Sequence, residues 1–199
     1  HTLMFFESNH FHKLWALYNS GHISKRIAQR IQSGGKLRVD WLDDEKIVHG
    51  AIGLTILPGR QDYSRSVDED LKQLKKYEVS TVIPLITDDE LSHFGVSDLL
   101  RKYDDYNFQV QRLPIMDQLV SSEEEMRQLI SYIDEKLKSR EKIVLHCVGG
   151  LGRSGLVAAS YLKFRGKLSK ESIESVRKVR GPRAVESKIQ EEFVYNIEF

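Results

Sequence analysis

The chain has 199 residues, 40% hydrophobic and 30% charged, a length and composition typical of one globular domain with a buried core. Its 30 Lys and Arg residues almost balance its 29 Asp and Glu residues, which argues against nucleic acid as a bulk electrostatic partner and against an acidic scaffold. No apolar run approaches the roughly 18 residues of a membrane span, and a single cysteine excludes an intrachain disulfide.

An amphipathic pattern spans residues 8–33, ahead of the glycine pair Gly34-Gly35. It predicts a helix with an apolar stripe on one face and basic residues on the other. Such a stripe either packs on its own domain or docks on a partner protein or a membrane surface. We therefore predict a helical N-terminal segment over residues 1–36 and a single globular domain over residues 37–199. The apolar positions of the stripe are Phe11, Leu14, Trp15, Tyr18, Ile23, Ile27 and Ile31.

From residue 37 onward, strand and helix patterns alternate along the chain. Apolar and alternating runs predict strands at 37–42, 51–57, 81–85, 108–111 and 143–145. Capping boxes predict helices that begin after Ser66, Thr87 and Ser122, the last with a core-facing stripe from Met126 to Leu137. This alternation predicts an α/β fold with a central, mostly parallel sheet flanked by helices. Ligands of such folds bind beyond the carboxyl ends of the strands.

The most informative segment is the run His-Cys-Val-Gly-Gly-Leu-Gly-Arg-Ser-Gly, which begins at His146. It follows the last predicted strand and precedes a predicted buried helix at 156–162. A helix N-terminus offers unpaired backbone amides, so the run predicts a binding site for a phosphoryl group. We expect its three glycines to adopt positive φ angles and turn amides inward, and its arginine to complete the ring with a bidentate contact. The predicted phosphate-binding residues are Val148, Gly149, Gly150, Leu151, Gly152 and Arg153.

Cys147 lies at the base of this loop, where the same electrostatic field favours the thiolate form. A thiolate there can attack phosphorus in line with the leaving oxygen, giving a phosphocysteine that water then hydrolyses. Ser154 is expected to hydrogen-bond the sulfur, to cap the following helix, or to do both. His146 either fixes the loop and tunes the thiolate or only fills the last position of the strand.

Other types of loop fit this segment poorly. A Walker-type nucleotide loop ends in Gly-Lys-Ser/Thr, which the segment lacks. A zinc site needs further Cys or His residues at ligand spacing, and Cys147 has none nearby. We therefore predict neither a metal nor a cofactor.

Expelling an alkoxide from a phosphoester calls for a proton donor on a second loop. Asp117 is the predicted donor, because the segment from Leu113 to Gln118 follows a strand and is too apolar for an ordinary surface turn. The alternative is an aspartate that caps the following turn. The acidic clusters at 88–90, 123–125 and 191–192 are expected to be solvated, at helix starts or on polar helix faces.

The pattern His-Cys-x5-Arg-Ser resembles the signature of the cysteine-dependent protein phosphatases, the tyrosine and dual-specificity group. A similarity to the cyclin-dependent-kinase-associated phosphatase family covers roughly residues 37–199, carried by segments 39–42, 53–59, 90–92, 114–117 and 147–154. This resemblance implies the protein tyrosine/dual-specificity phosphatase fold and a catalytic trio of Cys147, Asp117 and Arg153. The chain departs from that family at Val148, where a larger aromatic residue is expected, and at Gly155, where a second cysteine would follow.

Gln190 bears on the reaction, and the composition of the loop between Cys147 and Arg153 bears on the substrate. Gln190 resembles a glutamine or glutamate near the active site of related enzymes and is a candidate for placing the hydrolytic water. The alternative for Gln190 is a simple helix-surface residue. No residue between Cys147 and Arg153 is basic, which favours a phosphoprotein over a phosphoinositide as the substrate.

Together these observations predict a metal-independent phosphatase domain over residues 37–199 that hydrolyses phosphotyrosine, phosphoserine or phosphothreonine through a phosphocysteine. The predicted partner is a phosphoprotein substrate, with a protein kinase among the candidates. One alternative is a phosphoprotein-binding or kinase-docking module with incidental catalysis. Another is a phosphatase of the same superfamily that acts on RNA 5′ ends or phosphoinositides. The thiolate chemistry predicts a reducing compartment, the cytoplasm or, in a eukaryote, the nucleus.

Overall fold

Strands and helices alternate through most of the computed structural model, which describes residues 20–21 and 35–199. The strands are β1 (Asp40–Trp41), β2 (Ala51–Thr55), β3 (Val79–Pro84), β4 (Gln109–Val110) and β5 (Lys142–His146). The helices are α1 (Val67–Lys76), α2 (Asp88–His93), α3 (Leu99–Asp105), α4 (Glu123–Lys138), α5 (Gly152–Phe164), α6 (Ser169–Arg180) and α7 (Lys188–Asn196), with a short 3-10 helix at Gln61–Tyr63. The predicted helix over 8–33 lies outside the described residues, apart from a turn at Ser20 and Gly21.

The strands form one sheet in the order β1-β2-β5-β3-β4. β1 runs antiparallel to β2, and every other pairing is parallel, which confirms the predicted mostly parallel α/β sheet. β5 lies in the middle of the sheet, with His146 paired to Thr55 on one side and to Pro84 on the other. The chain therefore leaves β5 at the centre of the carboxyl edge, directly into the loop that begins with Cys147.

The edge strands are shorter than predicted. Of the residues 37–42, only Asp40 and Trp41 form a strand, and the Arg38 carbonyl accepts a hydrogen bond from the Thr55 side chain at 2.7 Å. The predicted strand at 108–111 is reduced to Gln109–Val110. The central strands differ from their predicted limits by only a few residues, since their apolar runs are buried on both faces.

The helix caps follow the predicted chemistry in most places. Thr87 and Ser122 form complete capping boxes with Glu90 and Glu125. The Ser66 side chain accepts the Glu69 amide, but Glu69 returns no hydrogen bond within the part of the chain that the structure describes. The predicted stripe of α4 is buried throughout and faces the core. No helix within residues 35–199 is both long and apolar enough to cross a membrane.

Candidate active site

The loop after β5 passes directly into α5, which begins at Gly152 with Leu151 in the N-cap position. The predicted helix start at residue 156 is therefore too late, because the first turn contains small and charged residues that apolar periodicity does not detect. Ser154 lies inside the first turn, so the prediction that it caps the helix is wrong. Arg153 sits in the same turn, and its position there brings its side chain beneath the second loop that carries Asp117.

The carbonyl groups of the loop are held from outside by Arg180, the last residue of α6. Its Nε donates to the Gly150 carbonyl at 2.8 Å, and its Nη2 donates to the Gly149 carbonyl at 3.0 Å. Its Nη1 binds Asp40 of β1 at 2.8 Å, and the side chains of this pair are only 4% and 6% exposed. A buried charge pair thus fixes the outer side of the loop.

The other loop carbonyls are held in the same way. Val148 offers its carbonyl to the Leu57 amide at 2.9 Å and to Arg60 Nη1 at 3.1 Å. The Leu151 carbonyl accepts from the amides of Gly155 at 3.0 Å and Val185 at 3.1 Å. Arg60 is itself buried, with its guanidinium 3.8 Å from the centre of the Tyr63 ring.

Because these carbonyls turn outward, the loop amides turn inward. In a trans peptide unit, the carbonyl of one residue and the N–H of the next point in opposite directions, and the described residues contain no cis peptide. None of the amides from Val148 to Arg153 donates a hydrogen bond to any described residue. The loop is therefore a concave array of free N–H groups, the arrangement that binds a phosphoryl group.

Among the three predicted glycines, only Gly150 has a positive φ angle, +66°. A Cβ on Gly150 would overlap the Thr55 carbonyl and lie 2.7 Å from Arg180 Nη2. Gly149 and Gly152 do not have positive φ, so the prediction for these two is wrong. Space at Gly152 is tight instead, since a Cβ there would lie 3.0 Å from Gln190 Oε1 and 3.2 Å from Glu186 Oε2.

Cys147 lies at the base of the array and is 3% exposed. The Ser154 hydroxyl donates to its sulfur at 3.3 Å, and Ser154 is fully buried. The predicted contact between Ser154 and the sulfur is therefore present in the structure. A hydrogen bond of this kind stabilises a thiolate over a thiol.

His146 is completely buried, and burial lowers its pKa to about 4, so the ring is neutral near pH 7. Its Nδ1 lies 3.1 Å from the Cys147 carbonyl, which only accepts, so Nδ1 carries the proton. Its Nε2 then accepts from the Tyr103 hydroxyl at 2.7 Å, and burial raises the pKa of Tyr103 well above its usual value. His146 thus binds the Cys147 carbonyl, which shares a peptide unit with the Val148 amide, the first of the inward-facing amides. This contact agrees with the prediction that His146 fixes the loop.

Arg153 is 2% exposed and forms a bidentate pair with Glu90, at 2.6 and 2.8 Å. The same guanidinium donates to the Ile115 carbonyl at 2.8 Å, and its Nε has no partner among the described residues. Burial alone would lower the pKa of Arg153, but the Glu90 hydrogen bond and the neighbouring negative charges raise it. Arg153 is therefore a fixed cation whose Nε–H, without a partner among the described residues, is available to a phosphoryl oxygen.

The prediction that residues 88–90 are all solvated is wrong for Glu90. Its side chain is 19% exposed and accepts from Arg153 and from the Thr87 amide, the latter at 3.1 Å. Burial alone would raise the pKa of Glu90, but these hydrogen bonds lower it. The capping box brings the carboxylate back over its own helix start, which is where Arg153 meets it.

Asp117 lies at the turn that follows the Ile115 carbonyl, with its side chain 67% exposed. Its Oδ1 is 3.5 Å from Arg153 Nη2, so the structure brings it to the mouth of the amide array. The turn-capping alternative is not supported, because its carboxylate accepts no backbone amide within the described chain. The segment is held beside β3, since the Leu113 amide donates to Pro84 and the Ile115 amide to Leu85, both at 3.1 Å.

Gln190 is fully buried, so its interpretation as a helix-surface residue is wrong. Its Oε1 accepts from the amides of Glu186 at 3.0 Å and Ser187 at 3.1 Å, and its Nε2 donates to the Leu119 carbonyl at 3.1 Å. Ser187 and Gln190 form a capping box that our sequence analysis missed, although Ser-x-x-Gln is a recognised pattern.

The supporting charges Arg180, Asp40 and Arg60 were also missed. For Arg180 a signal existed, because it falls on the same helical stripe as Ile173 and Val176, and all three are buried. A charged residue on an apolar stripe indicates a buried partner. Its partner Asp40 is 140 residues away and could not be assigned from local pattern.

Comparison with known proteins places the chain in a family. The family model for cyclin-dependent kinase inhibitor 3 (CDKN3) matches residues 29–173. Cyclin-dependent kinase inhibitor 3 of Mus musculus is 31% identical over 155 residues, covering 76% of this chain and 74% of that protein.

Solved structures agree with this assignment. Kinase-associated phosphatase, with serine replacing its catalytic-site cysteine, superimposes with a TM-score of 0.77 at 28% identity, over 81% of this chain and 93% of that one. Tk-PTP in its active form gives a TM-score of 0.65 at 26% identity, over 80% of this chain and 95% of that one. The chain belongs to the cyclin-dependent kinase inhibitor 3 family and is a cysteine-dependent protein phosphatase with the dual-specificity phosphatase fold.

Proposed function

We propose that Cys147 is the nucleophile, Arg153 the phosphate-binding cation and Asp117 the general acid of this phosphatase. The observation that carries the proposal is the inward-facing array of free amides above the Cys147 sulfur, closed on one side by the buried Arg153. An array of N–H groups with a guanidinium matches the three oxygens of a phosphoryl group.

In the first step the Cys147 thiolate attacks phosphorus, an S–P bond forms, and the bond to the ester oxygen breaks. Asp117 gives its proton to that oxygen, which leaves as an alcohol or phenol. In the second step a water attacks phosphorus, Asp117 takes a proton from it, and the S–P bond breaks. The Ser154 hydroxyl, 3.3 Å from the sulfur, stabilises the thiolate as it departs.

The substrate we propose is a phosphorylated protein side chain, with a protein kinase among the candidates. Two relatives carry kinase association in their names, cyclin-dependent kinase inhibitor 3 and kinase-associated phosphatase. The loop from Val148 to Gly152 contains no basic residue, so it offers no charge for further phosphates of an inositol lipid. We propose the cytoplasm or nucleus as its location, because a thiolate nucleophile needs a reducing compartment.

The test is hydrolysis of a panel of phosphotyrosine and phosphothreonine peptides, an RNA 5′-triphosphate and a phosphoinositide. Cys147→Ser is expected to abolish turnover and to trap the preferred phosphopeptide. Hydrolysis of 4-nitrophenyl phosphate by the folded Cys147→Ser variant would refute the nucleophile, and preference for the RNA or the lipid would refute the substrate class. Binding without turnover by the unmodified chain would favour the docking-module alternative.

A second experiment isolates Asp117. Asp117→Asn is expected to slow hydrolysis of a phosphothreonine peptide by about 10²-fold or more, the usual contribution of a general acid. The loss with 4-nitrophenyl phosphate should be much smaller, because nitrophenolate leaves without a proton. Equal losses on both substrates would remove Asp117 from this role.

A further inference from the structure

The loop that carries Asp117 is tied to the start of α7 by two side chains. We call residues 115–119 the acid loop. The Ser187 hydroxyl donates to the Gln118 carbonyl at 2.7 Å, and Gln190 Nε2 donates to the Leu119 carbonyl at 3.1 Å. Both acceptors follow Asp117 directly in the chain.

These two donors are themselves held in place. The Ser187 oxygen accepts the Gln190 amide at 3.2 Å, while Gln190 Oε1 accepts the amides of Ser187 and Glu186. With its oxygen fixed in this way and its side chain fully buried, Gln190 can point its amide nitrogen in one direction only, toward the acid loop. The capping box of α7 therefore orients both donors.

Apart from these two bonds, the only hydrogen bond of the described acid loop after Asp117 lies within the loop itself, from the Leu119 amide to the Met116 carbonyl at 3.0 Å. Before Asp117, the Ile115 carbonyl is bound by Arg153 Nη1 at 2.8 Å. After it, Gln118 has a φ of +68°, a conformation that is unfavourable for a residue with a side chain. The neighbouring side chains of Met116 and Leu119 are exposed, by 66% and 40%, so packing contributes little.

Gln190 also lies against residues 147–153, which we call the nucleophile loop, because a Cβ on Gly152 would be 3.0 Å from its Oε1 and 3.3 Å from its Nε2. It thus stands between the two loops that must meet across a bound phosphoryl group. Gln190 therefore contacts both the loop of the proposed acid and the loop of the proposed nucleophile.

We propose that Ser187 and Gln190 form a latch that positions Asp117 over the nucleophile loop. This inference rests on the proposed function, in which Asp117 is the general acid. It assigns Gln190 to positioning, through its bond to Leu119, and gives the same task to Ser187. Neither residue touches the reacting atoms in this scheme.

The experiment uses two variants that keep the helix cap and remove only the latch bond. In Ser187→Asp the side chain still accepts the Gln190 amide but has no proton for the Gln118 carbonyl. In Gln190→Glu the side chain still accepts the two backbone amides but cannot donate to Leu119. Each is expected to lose about tenfold in kcat on a phosphothreonine peptide and less than about threefold on 4-nitrophenyl phosphate, consistent with one lost hydrogen bond.

Two matched variants accompany them. Ser66→Asp makes the same change at the N-cap of α1, where the side chain accepts the Glu69 amide, and is expected to keep the parent rate on both substrates. Ser187→Thr returns a hydroxyl and is expected to rescue the Ser187→Asp loss. Thermal unfolding of each variant reports whether the fold is intact. If Gln190→Glu does not fold, Ser187→Asp decides alone.

A double-variant comparison separates the latch from the acid itself. In an Asp117→Asn background the latch variants are expected to cause no further loss, because there is no acid left to position. A further tenfold loss there, an equal loss on both substrates, or no loss in either single variant would overturn the latch. If Asp117→Asn alone shows no dependence on the leaving group, it is the proposed role of Asp117 that fails.

Discussion

Two buried arginines lie on opposite sides of the nucleophile loop, and each forms a short ion pair with a carboxylate, Asp40 for Arg180 and Glu90 for Arg153. Arg180 holds the outer side and uses all three guanidinium nitrogens, on Asp40 and on the carbonyls of Gly149 and Gly150. Arg153 lies on the inner side and uses only its two terminal nitrogens, on Glu90 and the Ile115 carbonyl. The same residue type is thus a structural clamp where all three guanidinium nitrogens are bonded, and a ligand site where one nitrogen, Nε, has no partner among the described residues.

The largest effect is expected for Arg153→Lys, which would break the inner side of this comparison. Lysine keeps the charge beside Glu90 but lacks the planar fork, so kcat/KM should fall about 10³-fold. The free energy of unfolding should fall by only about 1 to 2 kcal/mol, because the charge beside Glu90 is retained while part of the bidentate contact or the bond to the Ile115 carbonyl is lost. Steady-state kinetics and urea unfolding measure the two quantities. A loss of less than tenfold in kcat/KM would mean that Arg153, like Arg180, supports the fold and does not bind the phosphoryl group.

Arg180→Met is the corresponding change on the outer side. It leaves Asp40 buried without its cation, so the free energy of unfolding should fall by about 3 kcal/mol or more. Urea denaturation measures this, with Arg183→Met as control, since Arg183 is 38% exposed and its loss should cost under about 0.5 kcal/mol. If Arg180→Met were fully stable and still inactive, Arg180 would be acting on the ligand.

Two neighbouring glycines sharpen the comparison along the loop. Gly150→Ala should lower the free energy of unfolding by roughly 3 kcal/mol, from its positive φ and its overlap with the Thr55 carbonyl. Gly149→Ala should change stability by less than about 0.5 kcal/mol, because the nearest atom to a Cβ there is 3.9 Å away. A similar loss of unfolding free energy in both variants would contradict this prediction. It would mean that neither the positive φ angle of Gly150 nor its closeness to the Thr55 carbonyl makes glycine necessary there.

The pH dependence of stability tests the support from His146. The folded chain binds a proton at His146 only near pH 4, whereas the unfolded chain binds one below about pH 6.5. The free energy of unfolding should therefore fall as the pH is lowered from 6.5 to 4, by about 3 kcal/mol. Below pH 4 this residue adds no further change. Urea unfolding of the parent and of His146→Gln between pH 4 and 6.5 measures this fall in the free energy of unfolding. If that free energy changed with pH in the same way in both proteins, the prediction would be wrong.

The sequence predicts those parts of the site that lie close together along the chain. Cys147, the glycines, Arg153 and Ser154 fall within eight residues of one another, so spacing alone carries their chemistry. Asp117 was predicted from what the reaction requires, and the structure brings it to Arg153. The central strands were also predictable, because burial on both faces gives continuous apolar runs.

The remaining features depend on contacts between distant segments. The sequence pattern at Glu90 is that of a helix start whose carboxylates face solvent. Only the fold shows that this carboxylate is bound by Arg153, 63 residues later in the chain. Arg180 and Asp40 meet through the packing of α6 on the edge strand β1. The short edge strands were overestimated because their sequences extend beyond the residues that find hydrogen-bonding partners.

The pair of Asp40 and Arg180 links residues 140 positions apart, and the second of them comes 30 positions after the Gly150 carbonyl that it holds. During synthesis, Cys147 emerges from the ribosome before α6 does, so no clamp is then available to turn the carbonyls outward. We expect the nascent loop to lack its array of inward amides until β1 and α6 have met. Binding of phosphate esters would then begin only after α6 has packed on β1.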